Sequence, residues 1–321
     1  MPNGRCCRSM VMVASCCAAA SWCSTSSGQS NAAEIGFSDL VTRLGAVNVP
    51  TGAGVVLAQV EGSESAGNFG PNMAFSEFVG KVFMPMSGSF GSSVHATTVG
   101  QFGYGNSSSI APGITNILVY EAGNWAQTGF LRFNQGEGAP PLVPPNQTKI
   151  INNSWGGSFG NPTSDNEVLR RADFQVDRDD TIMVNPPANN IQAELPLMGN
   201  TFNGISVGLT SGSHLPGPTP SNLDGPGRQR PNIVAPGEFT SYAAPVVSAT
   251  AALLIQTART FPGLLANPNA QKAETIKAVI LAGARKRAGW TNLPATSGAG
   301  RGVTSTPLNA ASGVDLLNVN N

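Results

Sequence analysis

Three side chains with the chemistry for nucleophilic catalysis lie where predicted strands or helices begin or end. Ser241 sits between the apolar strand end at 233–237 and an apolar run, Val246–Ala258, that contains no Gly or Pro. That run predicts a buried helix of about three to four turns with Pro245 in its first turn. A helix start offers N–H groups and partial positive charge, which suit a nucleophile that passes through an oxyanion. The competing interpretation is that Ser241 is a helix N-cap.

Glu61 and His95 are the acid and base that would serve such a serine. Glu61 ends the apolar run Val55–Val60, a predicted buried strand, so its carboxylate is expected at the carboxyl edge of a sheet. His95 stands among small residues at a predicted helix start. An acid, a histidine and a serine so placed fit nucleophilic catalysis. The alternatives are that Glu61 is a surface acid and His95 is structural. The second histidine, His214, is predicted to face solvent.

Short apolar strands alternate with helical segments, which predicts an α/β protein with a mostly parallel sheet and helices on both faces. The predicted strands are 55–60, 78–83, 116–120, 149–154, 181–184, 204–208 and the strand end at 233–237. The predicted helices are 35–44, 124–133, 167–176, 246–258 and 270–284. We expect a signal at 1–23, a linker and lead-in at 24–43, the main domain at 44–284, and a C-terminal tail at 285–321.

Composition narrows the range of partners. The 321 residues carry a formal net charge of +0, and 11% of them are charged. Without a basic excess, nucleic acid is not an expected partner. Beyond the N-terminal segment, we expect no membrane span. We also expect a monomer.

The N-terminal segment has the features of an export signal. All five cysteines lie at or before Cys23, and Arg5 and Arg8 precede a small, apolar stretch at 10–20. This predicts an exported protein that is secreted, periplasmic or held at a bacterial cell surface. Residues 13–16 also resemble a lipoprotein box, which would leave Cys16 lipidated. Both interpretations remain open here.

Several motifs resemble those of the subtilisin-like serine proteases over roughly residues 44–283. Arg230–Gly237 (RPNIVAPG) is similar to Lys-Pro-Asp-Ile-Val-Ala-Pro-Gly, and Thr240–Pro245 (TSYAAP) is similar to Thr-Ser-Met-Ala-Ala-Pro. Val94–Val99 resembles the segment around the catalytic histidine, and Ala58–Ser63 resembles the strand that ends in the catalytic acid. The resemblance implies a three-layer α/β/α fold with a doubly wound central sheet.

The resemblance also implies roles for individual residues. Ser241 would be the nucleophile, His95 the general base and Glu61 the acid that orients it. Asn189 would place its side chain at the oxyanion, with Asn190 as the alternative residue for this role. The motif Ser154-Trp155-Gly156 would line the cleft and pair with an extended polypeptide substrate.

Four departures from the family pattern bear on these roles. Glu61 stands where the family has Asp. Phe239 stands where the family has Gly, and a side chain at this position suggests a strained or different turn. Thr98 replaces the second histidine of its motif. Only two residues separate Gly237 from Thr240, whereas the family usually has a hairpin at this point. We therefore expect a more open cleft on the leaving-group side.

The function that follows is a serine endopeptidase acting through an acyl-enzyme. An inactive relative that binds peptides or cell-surface polymers, an esterase with the same triad, and a purely structural scaffold are the alternatives. No cofactor or metal is expected. The acidic residues Asp173, Asp177, Asp179 and Asp180 are interpreted as a solvated helix end, with calcium binding as the alternative.

Overall fold

The protein is described by a computed structural model covering residues 31–136, 138–190, 197–292 and 308–321. The predicted signal at 1–23 and its Cys16 lie outside these described residues. The helices of eight or more residues are α1 (Phe37–Leu44), α2 (Val94–Tyr104), α3 (Pro162–Asp179), α4 (Thr240–Thr260) and α5 (Ala273–Ala282). The helix predicted at 124–133 is shorter and starts earlier, as Ala122–Asn124 continued by Trp125–Gly129. The strands are β1 (Val56–Glu61), β2 (Asn68–Gly70), β3 (Val82–Pro85), β4 (Gly91–Ser92), β5 (Asn116–Glu121), β6 (Ile150–Asn153), β7 (Ile182–Asn185), β8 (Ile205–Leu209), β9 (Gly217–Pro218), β10 (Gln229–Arg230) and β11 (Ile233–Ala235).

Seven strands form the central sheet in the order β11-β8-β7-β6-β1-β5-β3, and every neighbouring pair is parallel. The first strand of this sheet in the sequence is β1. Strands β3 and β5 lie on one side of it, and β6, β7, β8 and β11 follow on the other side. This reversal confirms the predicted doubly wound sheet. It creates a switch point at β1 and β6, where open α/β sheets have their crevice beyond the carboxyl ends of the strands.

Helices cover both faces of the sheet, as the three-layer prediction requires. Alternate residues of β1 point to opposite faces, so Leu57 joins one hydrophobic cluster and Ala58 joins the other. The buried side of α4 lies in the cluster of Leu57 and packs across β6, β7 and β8. Val168 and Leu169 of α3 lie in the cluster of Ala58. By the same alternation, Glu61 lies on the face that α4 covers.

The C-terminal segment is part of this core. Leu316 and Leu317 are buried, and Leu316 forms a parallel bridge with Val234 of β11. The Val319 amide donates to the carbonyl of Ile35 at 2.9 Å, which also ties the lead-in segment to the domain. The predicted divisions at 44 and 284 therefore do not separate independent parts of the structure, because the predicted tail supplies buried contacts.

Helix α4 is, within the described residues, the one helix long and apolar enough to cross a membrane by length and composition. In the structure, 83% of its most apolar window is buried inside the protein. Burial on this scale is that of a core helix, packed against the central sheet.

Candidate active site

Glu61 and His95 form a hydrogen-bonded pair at the switch point of the sheet. Glu61 is the last residue of β1 and is fully buried. Its Oε2 lies 2.8 Å from Nδ1 of His95, and its Oε1 accepts from Nε2 of Gln59 at 2.8 Å. The alternative of a surface acid is therefore wrong. Because an ionised carboxylate can only accept, we assign the proton to Nδ1, which leaves a lone pair on Nε2 of neutral His95.

The first turn of α2 holds His95 in place. Ser93 caps the helix by accepting from the Ala96 amide at 2.9 Å. Glu64 accepts from the amides of His95 at 2.8 Å and Val94 at 3.2 Å. A carboxylate here complements the positive end of the helix dipole. The His95 side chain keeps 25% of its surface exposed, so the ring is accessible while its position is fixed.

The pair has shifted acidities with identifiable causes. Burial alone lowers the pKa of His95, but the charge and hydrogen bond of Glu61, with the charge of Glu64, outweigh it and raise that pKa above 6.5. Burial raises the pKa of Glu61, and the charge of His95, with the hydrogen bonds to His95 and Gln59, offsets part of that rise. The site thus holds a histidine that is more basic than usual.

Ser241 lies in the first turn of α4, which begins earlier than predicted. The helix starts at Thr240 instead of Val246, so Pro245 is its sixth residue. The early start is stabilised from outside the helix, because Asn189 Oδ1 accepts from the Thr240 amide at 2.8 Å. The N-cap position belongs to Phe239, so the interpretation of Ser241 as an N-cap is wrong.

The first turn of α4 faces α2. The ring of Tyr242, the neighbour of Ser241, lies 5.5 Å from the His95 ring between centroids. Ser241 is 8% exposed. The acid, the histidine and the serine-bearing helix turn thus converge on one edge of the sheet.

A proline inside α4 leaves the carbonyl of Ser241 without its helical donor. Pro245 has no N–H, so it cannot make the i→i−4 bond to Ser241. The Ser154 hydroxyl donates to this carbonyl instead, at 3.0 Å. Ser154 Oγ in turn accepts from Nδ2 of Asn152 at 2.8 Å, and Asn152 Oδ1 accepts from Ser248 at 2.9 Å. Side chains at the end of β6 therefore anchor the turn that carries Ser241.

This arrangement predicts that Pro245 and Ser154 are coupled. Ser154→Ala leaves a buried carbonyl unpaired and is expected to lower the free energy of unfolding by about 1–3 kcal/mol. In a Pro245→Ala background the new amide can donate to the Ser241 carbonyl. Ser154→Ala should therefore lower the free energy of unfolding by less in that background. Urea unfolding of the four proteins measures the coupling. An equal loss of unfolding free energy on Ser154→Ala in both backgrounds would contradict this coupling.

The other predicted site residues occupy different environments. Asn189 is half-buried, and its Oδ1 is held by both the amide and the hydroxyl of Thr240. Trp155 is 5% exposed, and its indole donates to Asn153 at 3.1 Å, so it packs in the core. Gly156 is exposed, and a Cβ built on it would meet nothing within 4 Å. Open space beside the backbone therefore follows the end of β6.

Phe239 does not strain the turn that precedes α4. Its φ of −126° and ψ of 154° are ordinary extended values, which any residue with a side chain adopts. Its ring packs edge-on against Tyr242 at 5.5 Å. Of the two expectations for this turn, strain is therefore wrong, because the position does not need a glycine conformation.

His214 is buried, contrary to the prediction that it faces solvent. Its Nδ1 accepts from the Leu209 amide at 3.0 Å, and its Nε2 donates to the Ala311 carbonyl at 2.7 Å. Burial lowers its pKa, as does the nearby charge of Arg287. Its role is structural, because it joins β8 to the C-terminal segment.

The acidic run does not converge on a common point. Asp173 accepts from the amides of Phe202 and Asn203, whereas Asp179 pairs with Arg178. Asp180 faces Lys272. In the described ranges, no group of three or more His, Cys, Asp or Glu side chains is arranged to hold a metal ion.

Two residues of the site were missed by the sequence analysis. Gln59 and Glu64 both contact the Glu61–His95 pair. A signal for Gln59 was present, since a polar residue two positions before Glu61 in an apolar strand must share its face. Glu64 lies in a loop, and nothing in its spacing indicates that it meets the start of α2.

The fold and the site define a class: a doubly wound α/β protein with an acid–histidine pair beside a serine-bearing helix start. A profile of the subtilase family, Peptidase_S8, matches residues 87–300. The chain therefore belongs to the subtilase family. The matched region includes His95, Asn189 and Ser241 and begins after Glu61. A comparison with curated proteins found no match.

Solved structures of proteases share the fold at low sequence identity. A lanthipeptide protease is similar with a TM-score of 0.60 and 14% identity, covering 92% of this chain and 93% of that one. The prenylagaramide maturation protease PagA has a TM-score of 0.58 and 17% identity, covering 87% and 96%. A protease from Pseudoalteromonas arctica has a TM-score of 0.53 and 17% identity, covering 86% and 91%. These similarities concern the fold.

Proposed function

We propose that the protein is a serine endopeptidase that cleaves polypeptides through an acyl-enzyme intermediate. Ser241 Oγ attacks the scissile carbonyl, and His95 Nε2 takes its proton and later returns it to the leaving amine. Glu61 holds the ring by its bond to Nδ1 and stabilises the imidazolium. The observation that carries the proposal is the 2.8 Å bond between a fully buried Glu61 and His95, beside the helix turn of Ser241.

Donors for the oxyanion come from two elements. The Ser241 amide lies in the first turn of α4, where N–H groups have no helical acceptor. We assign the second donor to Nδ2 of Asn189, since Oδ1 of that amide is already engaged by Thr240. One such side-chain donor is worth about 3 kcal/mol to the transition state. The open space at Gly156 would let an extended substrate backbone lie beside the chain after β6.

Two substrates distinguish this proposal from its alternatives. The wild type and Ser241→Ala are incubated with a casein-type protein and with a short acyl ester. Cleavage of both substrates by the wild type alone supports the endopeptidase. Ester hydrolysis without proteolysis favours an esterase. The absence of both favours an inactive relative that binds peptides or cell-surface polymers.

The acidity of His95 predicts a pH dependence. Imidazolium cannot accept the serine proton, so activity falls as the pH drops through the His95 pKa, which is raised above 6.5. Glu64→Gln removes one negative charge that raises this pKa and keeps an oxygen acceptor for the α2 amides. In a plot of kcat/KM against pH, the fall on the acidic side (the acid limb) should therefore move to lower pH.

The matched control for this prediction is Glu274→Gln, which neutralises an acid in the first turn of another helix, α5. It should leave the acid limb in place. An acid limb that is the same in Glu64→Gln as in the wild type would contradict the assigned electrostatic role.

We further propose that the protein is exported and acts as a monomer. Support for export comes from Arg5 and Arg8 ahead of the small, apolar stretch at 10–20. Globomycin-sensitive processing with acylation of Cys16 would indicate the lipoprotein form, and cleavage after Cys23 without a lipid would indicate the ordinary signal.

A further inference from the structure

We infer that Gln59 is a positioning residue that lets a glutamate serve as the acid of this site, an inference that rests on the proposed function. Gln59 is fully buried in β1, two residues before Glu61 and on the same face of the sheet. Its Nε2 donates to Glu61 Oε1 at 2.8 Å and to the Ala96 carbonyl at 2.8 Å. Ala96 directly follows His95, so one amide contacts both the acid and the helix turn that carries the histidine.

The contacts determine which way the Gln59 amide points. A carbonyl oxygen can only accept, so the end that faces Ala96 must be the nitrogen. The second N–H hydrogen then points at Glu61. The Tyr104 hydroxyl, fully buried in the core, donates to the remaining end, Oε1 of Gln59. Burial holds the pKa of Tyr104 well above 10, so this hydroxyl keeps its proton. The hydrogen bonds therefore allow a single arrangement of the amide.

The packing around Tyr104 makes this arrangement possible. Tyr104 is the last residue of α2 and reaches back over Gly100 to Gln59. A Cβ built on Gly100 would lie 2.5 Å from the Tyr104 hydroxyl. Glycine at this position thus gives the hydroxyl its path to β1. The far end of the histidine helix and the strand of the acid are joined through Gln59.

Glutamate needs such a partner more than a shorter acid does. Its side chain has one more rotatable bond, so the position of its carboxylate is less determined by the backbone. It is also fully buried, and a buried carboxylate oxygen without a donor is costly. Gln59 supplies that donor to Oε1, which leaves Oε2 directed at His95. The proposed consequence is that Gln59 acts on the reaction through Glu61 and contacts no substrate.

The test compares Gln59→Leu with Gln175→Leu. Gln175 is a matched control: it is fully buried in α3, its Nε2 donates to the Asp179 carboxylate, and its Oε1 accepts from the Thr181 hydroxyl. The measured quantity is the second-order rate of inactivation by a fluorophosphonate. We expect Gln59→Leu to slow inactivation at least tenfold, because a hydrogen bond to a charged group is lost, and Gln175→Leu to leave the rate unchanged. Thermal unfolding shows whether both variants fold.

A double-mutant cycle separates positioning from a general structural effect. In a Glu61→Ala background, Gln59→Leu should cause no further slowing, because the residue through which it acts is gone. A second readout is the proton NMR signal of the His95 Nδ1–H, which a carboxylate hydrogen bond shifts downfield. This signal should move upfield in Gln59→Leu and stay in place in Gln175→Leu.

These measurements distinguish a failure of the Gln59 inference from a failure of the proposed function. If the wild type is not inactivated, the serine hydrolase proposal fails, and the NMR signal still tests Gln59 on its own. If the wild type is inactivated but Gln59→Leu reacts at the same rate, the positioning role is overturned. An equal slowing in the presence and absence of Glu61 would also overturn it.

Discussion

Ser241→Ala and His95→Ala are each expected to lower kcat for peptide hydrolysis by roughly 10⁶-fold, the size of effect that the equivalent substitutions have in subtilisin. Either change removes a member of a unit that works only when complete, so the double variant should be no less active than either single one. Progress curves on a chromogenic peptide, measured at high enzyme concentration, give the three values.

The control for this prediction is Thr250→Ala, which removes a buried hydroxyl from the same helix. Thr250 Oγ1 donates to the Val246 carbonyl at 3.0 Å, inside the helix itself. Its loss should leave kcat unchanged. Losses that multiply in the double variant would mean that Ser241 and His95 act independently, which contradicts the proposed unit.

Glu61→Gln is expected to lower kcat by about 10⁴-fold, because it forces the wrong histidine tautomer. Gln59 Nε2 points its hydrogen at the position of Oε1, so an amide at residue 61 must turn its own oxygen there. Its NH2 group then faces His95 Nδ1, which must become an acceptor. Nε2 would carry the proton and could no longer act as a base. A pH–rate profile and kcat on a chromogenic peptide test this.

Glu61→Asp separates charge from reach. The charge is kept, but the carboxylate is one methylene shorter and cannot meet both Gln59 and His95 at their present positions. A displacement of this size is expected to lower kcat about 10²-fold. The outcome tests directly whether glutamate is the fitted acid at this site.

The matched control for both substitutions is Glu121→Gln. Glu121 is the residue of β5 that stands opposite Glu61 in the sheet, and it also ends its strand. It accepts from the amides of Gly123 and Asn124, so its loss should cost about 0.5–2 kcal/mol of stability and no activity. A loss of activity in Glu121→Gln as large as that in Glu61→Gln would mean that the effect is one of fold alone.

The sheet was predictable because its strands are short apolar runs bounded by turn residues. Six of the predicted runs overlap the observed strands closely, among them 55–60 with Val56–Glu61 and 204–208 with Ile205–Leu209. The strand predicted at 78–83 lies instead at Val82–Pro85. Gly80 adopts a φ of +81°, so an extended strand cannot pass through it.

The start of α4 could not be read from propensity. Phe239 offers no side-chain cap, and Pro245 indicates a helix that begins close to it. The true start depends on contacts that are remote in sequence: Asn189 binds the Thr240 amide, and Ser154 satisfies the carbonyl that Pro245 leaves open. Tertiary contacts of this kind override a local signal.

The burial of individual side chains was the least predictable property of the structure. His214 lies in a loop rich in Gly, Pro and Ser, yet its two ring nitrogens join β8 to residues near the C-terminus. Trp155 follows a strand end at the cleft but turns into the core against Phe159. The His214 partner Ala311 lies far along the chain, so sequence spacing does not indicate the contact. Trp155 instead contacts Asn153 and Phe159, which are near neighbours in sequence.

The central claim is that Glu61, His95 and Ser241 act together to make one serine nucleophilic. The most direct measurement is mass spectrometry of the protein after reaction with a fluorophosphonate probe, with the modified residue located by peptide fragmentation. The account predicts one adduct, on Ser241, that forms in the wild type and is lost in His95→Ala. An adduct on another residue, or labelling of Ser241 that persists at the same rate without His95, would contradict it.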